Sequence, residues 1–217
     1  MQTTIARRTA TIVGAVAIMG GTVFTHAARA ADSPGYEALK RSQLALLKCK
    51  SYRAIAKTTD ESGKTTVRTL EVIPPKSYHI IMGSTMEMII LPEGSYTRRN
   101  GRWTRLPMDM SAMMSSVTNM TGDIAKEGAK HTTVKLVGPS VWHGTPAMLY
   151  SAVYADEDRQ SNSKIWVRAT NGLPLHSEGT VNSKKMTIGT KTIGGKSKTE
   201  VDYDYTTPVT ITAPKTK

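Results

Sequence analysis

Residues 94–107 read GSYTRRNGRWTRLP, and the Asn100-Gly101 pair at their centre is the strongest turn signal in the chain. Both residues tolerate a positive φ angle, which the tight turn of a two-residue β-hairpin requires. The residues on either side of this pair, 95–99 and 102–106, have the composition of strands. The stretch therefore predicts an antiparallel hairpin, and Pro107 predicts where that hairpin ends.

Strand patterns extend from this hairpin in both directions. Upstream, SYRAIAKTT and TTVRTLEVI flank the turn DESGK, and KSYHIIMG and TMEMIIL follow Pro75. From His131 onward the segments HTTVKLVGPSVW, PAMLYSAVYAD, SKIWVRA, LHSEGTV, KKMTIGTKTI and TEVDYDYT alternate with turn residues. The last two predicted turns are Asn182-Ser183 and the GGKSK stretch at residues 194–198. Together these segments predict a large curved antiparallel sheet of roughly ten or eleven strands.

Two helices are predicted to accompany the sheet. Tyr36 to Lys48 has helical length and composition, with Ser33 and Pro34 where a helix begins. Asp109 is placed to cap a second helix that runs to about Lys126. That helix carries one apolar stripe at helical spacing, formed by Met110, Met113, Met114, Val117 and Ile124. The fold class is therefore α+β, with an N-terminal helix and a mid-chain lid helix.

Residues 1–30 have the pattern of a secretory signal peptide. Arg7 and Arg8 precede an apolar run, and Ala28 and Ala30 fit the small-residue rule for cleavage. Residues 31–217 then form a single domain with 29 − 3 = 26 basic and 17 acidic residues, a net charge of +9. This charge favours anionic surfaces such as lipid headgroups or a membrane face. Because the pattern indicates export, nucleic acid is not expected as a partner.

The chain carries no familiar catalytic or metal-binding signature. Neither Gly-x-Ser-x-Gly nor His-Glu-x-x-His occurs, and the glycine-rich residues 189–197 have five residues where a P-loop has four. The only cysteine, Cys49, lies in no lipidation box. We therefore expect a soluble, non-catalytic periplasmic or secreted protein without a cofactor.

Methionine is concentrated in one part of the chain. Eight of the ten methionines after residue 30 lie between Met82 and Met120. Thioethers select Cu(I), and Met86 and Met88 would share one face of a strand, so a copper site is one hypothesis. Core filling is a second. The third, which we favour, is an adaptable apolar surface for a lipid, because methionine is common where varied apolar partners bind.

Arginine surrounds the central hairpin. Arg98, Arg99, Arg102 and Arg105 lie within eight residues of one another, with Trp103 among them. Charge on an edge strand prevents aggregation, which is one explanation. A basic rim that pairs with phosphate or carboxylate headgroups is the other.

The order of these parts resembles the LolA/LolB-like lipoprotein-carrier superfamily, which includes LppX/LprG-like lipid carriers and the N-terminal domain of RseB-type regulators. The similar stretches are GSYTRRNGRWTRLP, KIWVRATNGLPLHSEG with Trp166 and Gly172-Leu173-Pro174, and the C-terminal VDYDYTTPVTITAP. The Met-rich lid helix has no counterpart in the family pattern. The resemblance implies an unclosed β-barrel around a hydrophobic cavity that binds acyl chains or lipid-modified proteins.

On this resemblance the protein is a periplasmic carrier or sensor of lipid or lipoprotein acyl chains. Transient contact with a membrane surface and with a membrane-associated protein would accompany that function. The alternatives are a Cu(I)-binding periplasmic protein and a protein-binding envelope-stress module. The expected ligand-binding residues are Met82, Met86, Met88, Ile90, Met110, Met113, Met114, Val117, Trp103, Arg98, Arg99 and Arg102.

Overall fold

A computed structural model describes residues 34–84, 86–111, 114, 131–188 and 191–216. Its helix, α1, spans Pro34–Lys48 and buries Leu39 and Leu46 along one side. Glu37 in the first turn and Lys48 in the last turn both suit the helix dipole. The N-terminal helix predicted from the sequence is therefore confirmed.

Eleven antiparallel strands form one unclosed sheet. Their order is β6-β5-β4-β3-β2-β1-β11-β10-β9-β8-β7, so β6 and β7 are the two edges. Both halves are meanders, and β1 and β11 join them at the centre. The bounds are β1 Tyr52–Asp60, β2 Thr65–Ile73, β3 Ser77–Met82, β4 Met86–Leu91, β5 Gly94–Arg99, β6 Arg102–Arg105, β7 Thr132–Trp142, β8 Thr145–Ala155, β9 Arg159–Arg168, β10 Pro174–Ile188 and β11 Lys191–Asp204.

The sheet matches the predicted curved half-barrel in strand number and connectivity. Asn100 and Gly101 have φ angles of 50° and 77°, as the hairpin between β5 and β6 requires. Both edges carry features that discourage pairing with other chains. Arg102 and Arg105 lie on β6, and β7 contains Pro139 and a bulge between Leu136 and Gly138.

The two faces of the sheet differ in what covers them. We call the face that α1 packs on the inner face and the opposite one the outer face. Leu39 of α1 packs on residues of β7, β8 and β9, and Leu46 packs on the cluster over β1 to β4 and β11. The helix therefore bridges two apolar clusters of the inner face, and buried apolar area of this kind is the main source of its stability.

The turns predicted at Asn182-Ser183 and at residues 194–198 are wrong. Strands β10 and β11 run through both sites, and their last paired residues are Ile188 and Lys191. The pairing register shifts between Ser183 and Met186, which marks an irregularity in the ladder. Gly194 and Gly195 have φ angles of 96° and 95°, a conformation that bends a strand without ending it.

Three predictions concern residues that are not described. The signal peptide at residues 1–30, and with it the boundary of the domain at residue 31, lies outside the described residues. Of the predicted mid-chain helix, only the start is described: Ser111 and Met114 are helical, and Met114 N–H donates to the carbonyl of Met110. The rest of that helix lies outside the described residues. In the described ranges, no helix is long and apolar enough to cross a membrane.

Candidate ligand-binding face

The inner face of β2 to β4 is largely apolar, and cross-strand register orders it in rows. One row contains Val72, Tyr78 and Ile90, and the next contains Leu70, Ile80 and Met88. All six side chains are buried, with Ile90 at 0% and Met88 at 2% exposure. Residues directly opposite each other on neighbouring strands have side chains in contact. The rows therefore make one continuous apolar floor.

The predicted methionines meet on this floor. Met88, Met110 and Met114 belong to one buried cluster with Ile90, and Met82 packs against it. Met86 lies opposite Met82 and is half-buried. Met113 and Val117, which were also predicted to line the pocket, lie outside the described residues.

The chain after β6 folds back over the floor and is anchored by hydrogen bonds. Ser95, fully buried on β5, accepts from Leu106 N–H through its carbonyl at 2.8 Å and from Met110 N–H through its hydroxyl at 3.0 Å. Asp109 then accepts from Ser111 N–H at 2.7 Å, as the predicted helix cap would. Hydrogen bonds from Ser111 hold the pKa of Asp109 below its usual value. These contacts place Met110 and Met114, each 2% exposed, on the apolar cluster.

The arginine-rich hairpin is divided between the two faces. Arg99 and Arg102 pair across β5 and β6 on the inner face, where they line an open cleft of about 510 Å³ with Thr97 and Thr104. Arg98 and Trp103 pair on the outer face. Trp103 packs there with Ile89, Leu91, Tyr96 and Ile211, so the structure does not bring it or Arg98 to the apolar floor.

Arg68 is an inner-face residue that sequence reasoning missed. It lies on β2 opposite Ala56 on one side and Met82 on the other. Its Nη1 atom is buried and has no hydrogen-bond partner among the described residues. Burial lowers the pKa of its guanidinium. In TTVRTLEVI, strand alternation places Arg68 on the same face as Leu70 and Val72. This alternation is the sequence signal that could have identified Arg68 as an inner-face residue.

Tyrosines line the inner face where β1 meets β11. The ring centroids of Tyr52 and Tyr203 are 6.4 Å apart, and those of Tyr52 and Tyr205 are 6.3 Å apart. Burial raises the pKa of Tyr203 to about 12 and also raises the pKa values of Tyr52 and Tyr205. This end of the inner face is therefore poorly hydrated, like the methionine region.

The outer face carries a ladder of ionisable side chains across β1 to β5. Arg53 donates to Glu71 at 2.6 Å, and His79 lies between Glu71 and Glu87, with ring nitrogens 2.9 and 2.8 Å from their carboxylate oxygens. Arg98 donates to Glu87 at 2.9 Å. Burial raises the pKa of each glutamate, but hydrogen bonds from its arginine and from His79 outweigh burial and lower it. Among the described residues, no group of three or more His, Cys, Asp or Glu side chains could hold a metal ion.

Solved structures with the same architecture include two mycobacterial proteins. Lipoprotein LppX of Mycobacterium tuberculosis aligns with a TM-score of 0.54 and 10% identity, over 84% of this chain and 100% of LppX. LprF of Mycobacterium bovis aligns with a TM-score of 0.51 and 11% identity, over 83% of this chain and 96% of LprF.

No family model matches the sequence, and no curated protein matches it significantly. The comparisons indicate no enzyme family. At 10–11% identity the likeness to LppX and LprF concerns the fold alone. The chain has the unclosed half-barrel fold of LppX and LprF, which is the fold that the resemblance to the LolA/LolB-like superfamily implies.

Proposed function

We propose that the protein is a non-catalytic periplasmic carrier or sensor that binds the acyl chains of a lipid or lipoprotein against the inner face. One observation carries the proposal: Met110 and Met114, from the segment after β6, cover an apolar floor that the sheet itself does not close. A cover that belongs to a connecting segment can move without breaking strand pairing. Acyl chains would then bind between the floor and this cover, in contact with both.

Burial of the acyl chain would drive binding. Each methylene removed from water contributes about 0.8 kcal/mol. Methionine suits this use because its unbranched, polarizable side chain adapts to chains of different length and shape. Met82, Met86, Met88 and Ile90 would form the floor, and Met110, Met113, Met114 and Val117 would form the cover. Arg99 and Arg102 would lie at the edge, where headgroups leave the apolar region.

Cu(I) binding is the second candidate, because the fold gathers Met82, Met86, Met88, Met110 and Met114 on one face. Thioethers are suitable ligands for Cu(I). The arginines near these methionines disfavour copper binding. Arg68 lies opposite Met82, and Arg99, with Arg102 opposite it, lies on the strand next to Met86. Positive charges at these positions repel a cation and attract an anion. The charge distribution therefore favours a lipid.

The test is uptake of a fluorescent fatty acid by the wild type and by the M110S/M113S/M114S variant. We expect the wild type to bind the probe and the variant to lose binding, while circular dichroism of the sheet is retained. M186S is the matched control, because Met186 on β10 is 58% exposed. Uptake by the triple variant at the wild-type level would refute the role of the cover. A wild type that binds no acyl chain would refute the proposed function.

A further inference from the structure

Acidic and basic side chains are unequally divided between the two faces of the sheet. Six of the strand carboxylates lie on the outer face by register: Glu71, Glu87, Glu178, Glu200, Asp202 and Asp204. The remaining one, Asp60 at the end of β1, accepts hydrogen bonds from Ser62 and Lys64 within its own turn. In the described strands, Arg68, Arg99 and Arg102 of the inner face thus have no carboxylate of the same face beside them.

Arg68 is the most deeply placed of these basic groups. Its register neighbours are Ala56, 2% exposed, and Met82, which packs against the apolar cluster. Its Nη1 atom is buried without a hydrogen-bond partner in the described part of the chain. A buried guanidinium nitrogen without a partner is destabilising and therefore needs an explanation, and a bound anion that accepts its hydrogen bond is one.

Arg68 also begins a row that leads to the cleft. Along this row Arg68 is followed by Met82 on β3 and Met86 on β4. Because Arg98 pairs with Glu87, Arg99 falls beside Met86, and Arg102 lies opposite Arg99. Strands are about 4.8 Å apart, so β2 and β5 are separated by about 14 Å. Arg68 is therefore an inner contact, and the cleft with Arg99 and Arg102 is a separate basic entrance at the edge.

We propose that Arg68 binds the anionic headgroup, a phosphate or a carboxylate, of the acyl-chain ligand, and that the protein selects anionic over uncharged lipids. The inference rests on the proposed function and names its ligand class. The guanidinium fork matches the oxygens of phosphate and carboxylate and pairs with two of them at once. The acyl chain then extends along the inner face from Arg68 toward the apolar rows of Leu70 and Val72.

The experiment compares two ligands with the same chain, oleoyl lysophosphatidylglycerol and uncharged monooleoylglycerol. Both are titrated by fluorescent-probe displacement into the wild type and into R68M, R68K and K57M. R68M keeps the length and apolar stem but removes the charge, and R68K keeps the charge but removes the fork. Lys57 is the matched control, because it lies exposed on the outer face of the neighbouring strand, opposite Val67 and Glu200.

The wild type is expected to prefer the anionic lipid by roughly 10- to 100-fold, the range that a hydrogen bond to a charged group provides. R68M is expected to lose most of this preference through weaker binding of the anionic lipid, with binding of monooleoylglycerol unchanged. R68K should be intermediate, and K57M should behave as the wild type.

An R68M variant that retains the preference would overturn the inference, as would a wild type that binds both lipids equally; the proposed function would survive either result. Inorganic phosphate that binds as tightly as the lysolipid would overturn the assignment to a lipid headgroup. Failure of the wild type to bind either lipid would instead refute the proposed function itself.

Discussion

At the residue scale, the ligand-binding face depends on which side of a strand each charged residue occupies. The sequence indicated an arginine-rich hairpin, and the alternation on either side of Asn100-Gly101 already separates Arg99 and Arg102 from Arg98 and Trp103. Grouping all of them at one rim overlooked this alternation. Arg68 was missed for a related reason: its strand reads as an ordinary amphipathic pattern, and nothing in the sequence alone shows that its guanidinium nitrogen is buried.

In the absence of a ligand, Arg68 should lower the free energy of unfolding of the protein. Replacing it with methionine keeps the apolar stem and removes a buried nitrogen that has no partner among the described residues, so R68M should raise the free energy of unfolding by about 1–2 kcal/mol. Urea denaturation of the delipidated protein measures this change. A clear loss of stability in R68M would mean that the guanidinium already has a stabilising partner within the protein.

At the element scale, the outer-face ladder ties together strands β1 to β5, three of which, β2 to β4, form the methionine-lined floor on the opposite face. Arg53, Glu71, His79, Glu87 and Arg98 lie on β1 to β5 in that order, one residue for each strand. The sequence itself contains His79, His131, His143 and His176 after residue 30, and their spacing matches no metal-ligand pattern. It could not show that His79 lies between two carboxylates, because that requires the register of two strand pairings, β2 with β3 and β3 with β4.

The ladder predicts a loss of stability in acid. The pKa values of Glu71 and Glu87 are below the ordinary glutamate value of 4.5. Their contribution is therefore complete above that value and is lost as the pH falls through the lowered pKa values. Thermal unfolding measured from about pH 6 to about pH 3 should show this decline, and E71Q should be less stable near neutral pH but flatter in acid. An E71Q profile parallel to the wild type would contradict a stabilising role for the ladder.

Helix α1 is held close to the edge strand β7 by a glycine. A Cβ atom added at Gly35 would lie 3.0 Å from the backbone oxygen of Val134 and 3.1 Å from its Cγ1. The backbone cannot yield as a flexible side chain would, so G35A should lower the free energy of unfolding by roughly 1–2 kcal/mol. This loss should exceed the small gain in helix propensity at the helix start. A thermal midpoint for G35A at or above the wild-type value would show that α1 can shift away from β7.

At the scale of the whole molecule, the chain forms two meanders joined at β1 and β11, and residues 106–131 connect the two outer edges. Local alternation and turn residues were enough to predict the number of strands and the order of helices and strands. They were not enough at β10 and β11. There Asn182-Ser183 and the glycines at positions 194 and 195 have the composition of turns but lie inside long strands. The proposed function depends on an apolar face of an unclosed sheet on which Met110 and Met114 of the connecting segment pack.

Native mass spectrometry of the protein, purified without detergent, tests the proposed function most directly. The account predicts adducts with the masses of anionic lipids that are released when the protein unfolds. A spectrum of the bare protein, after growth and purification that preserve bound lipid, would contradict lipid binding and favour a protein partner for the inner face. A mass shift corresponding to copper would contradict it as well and would assign the clustered methionines to Cu(I).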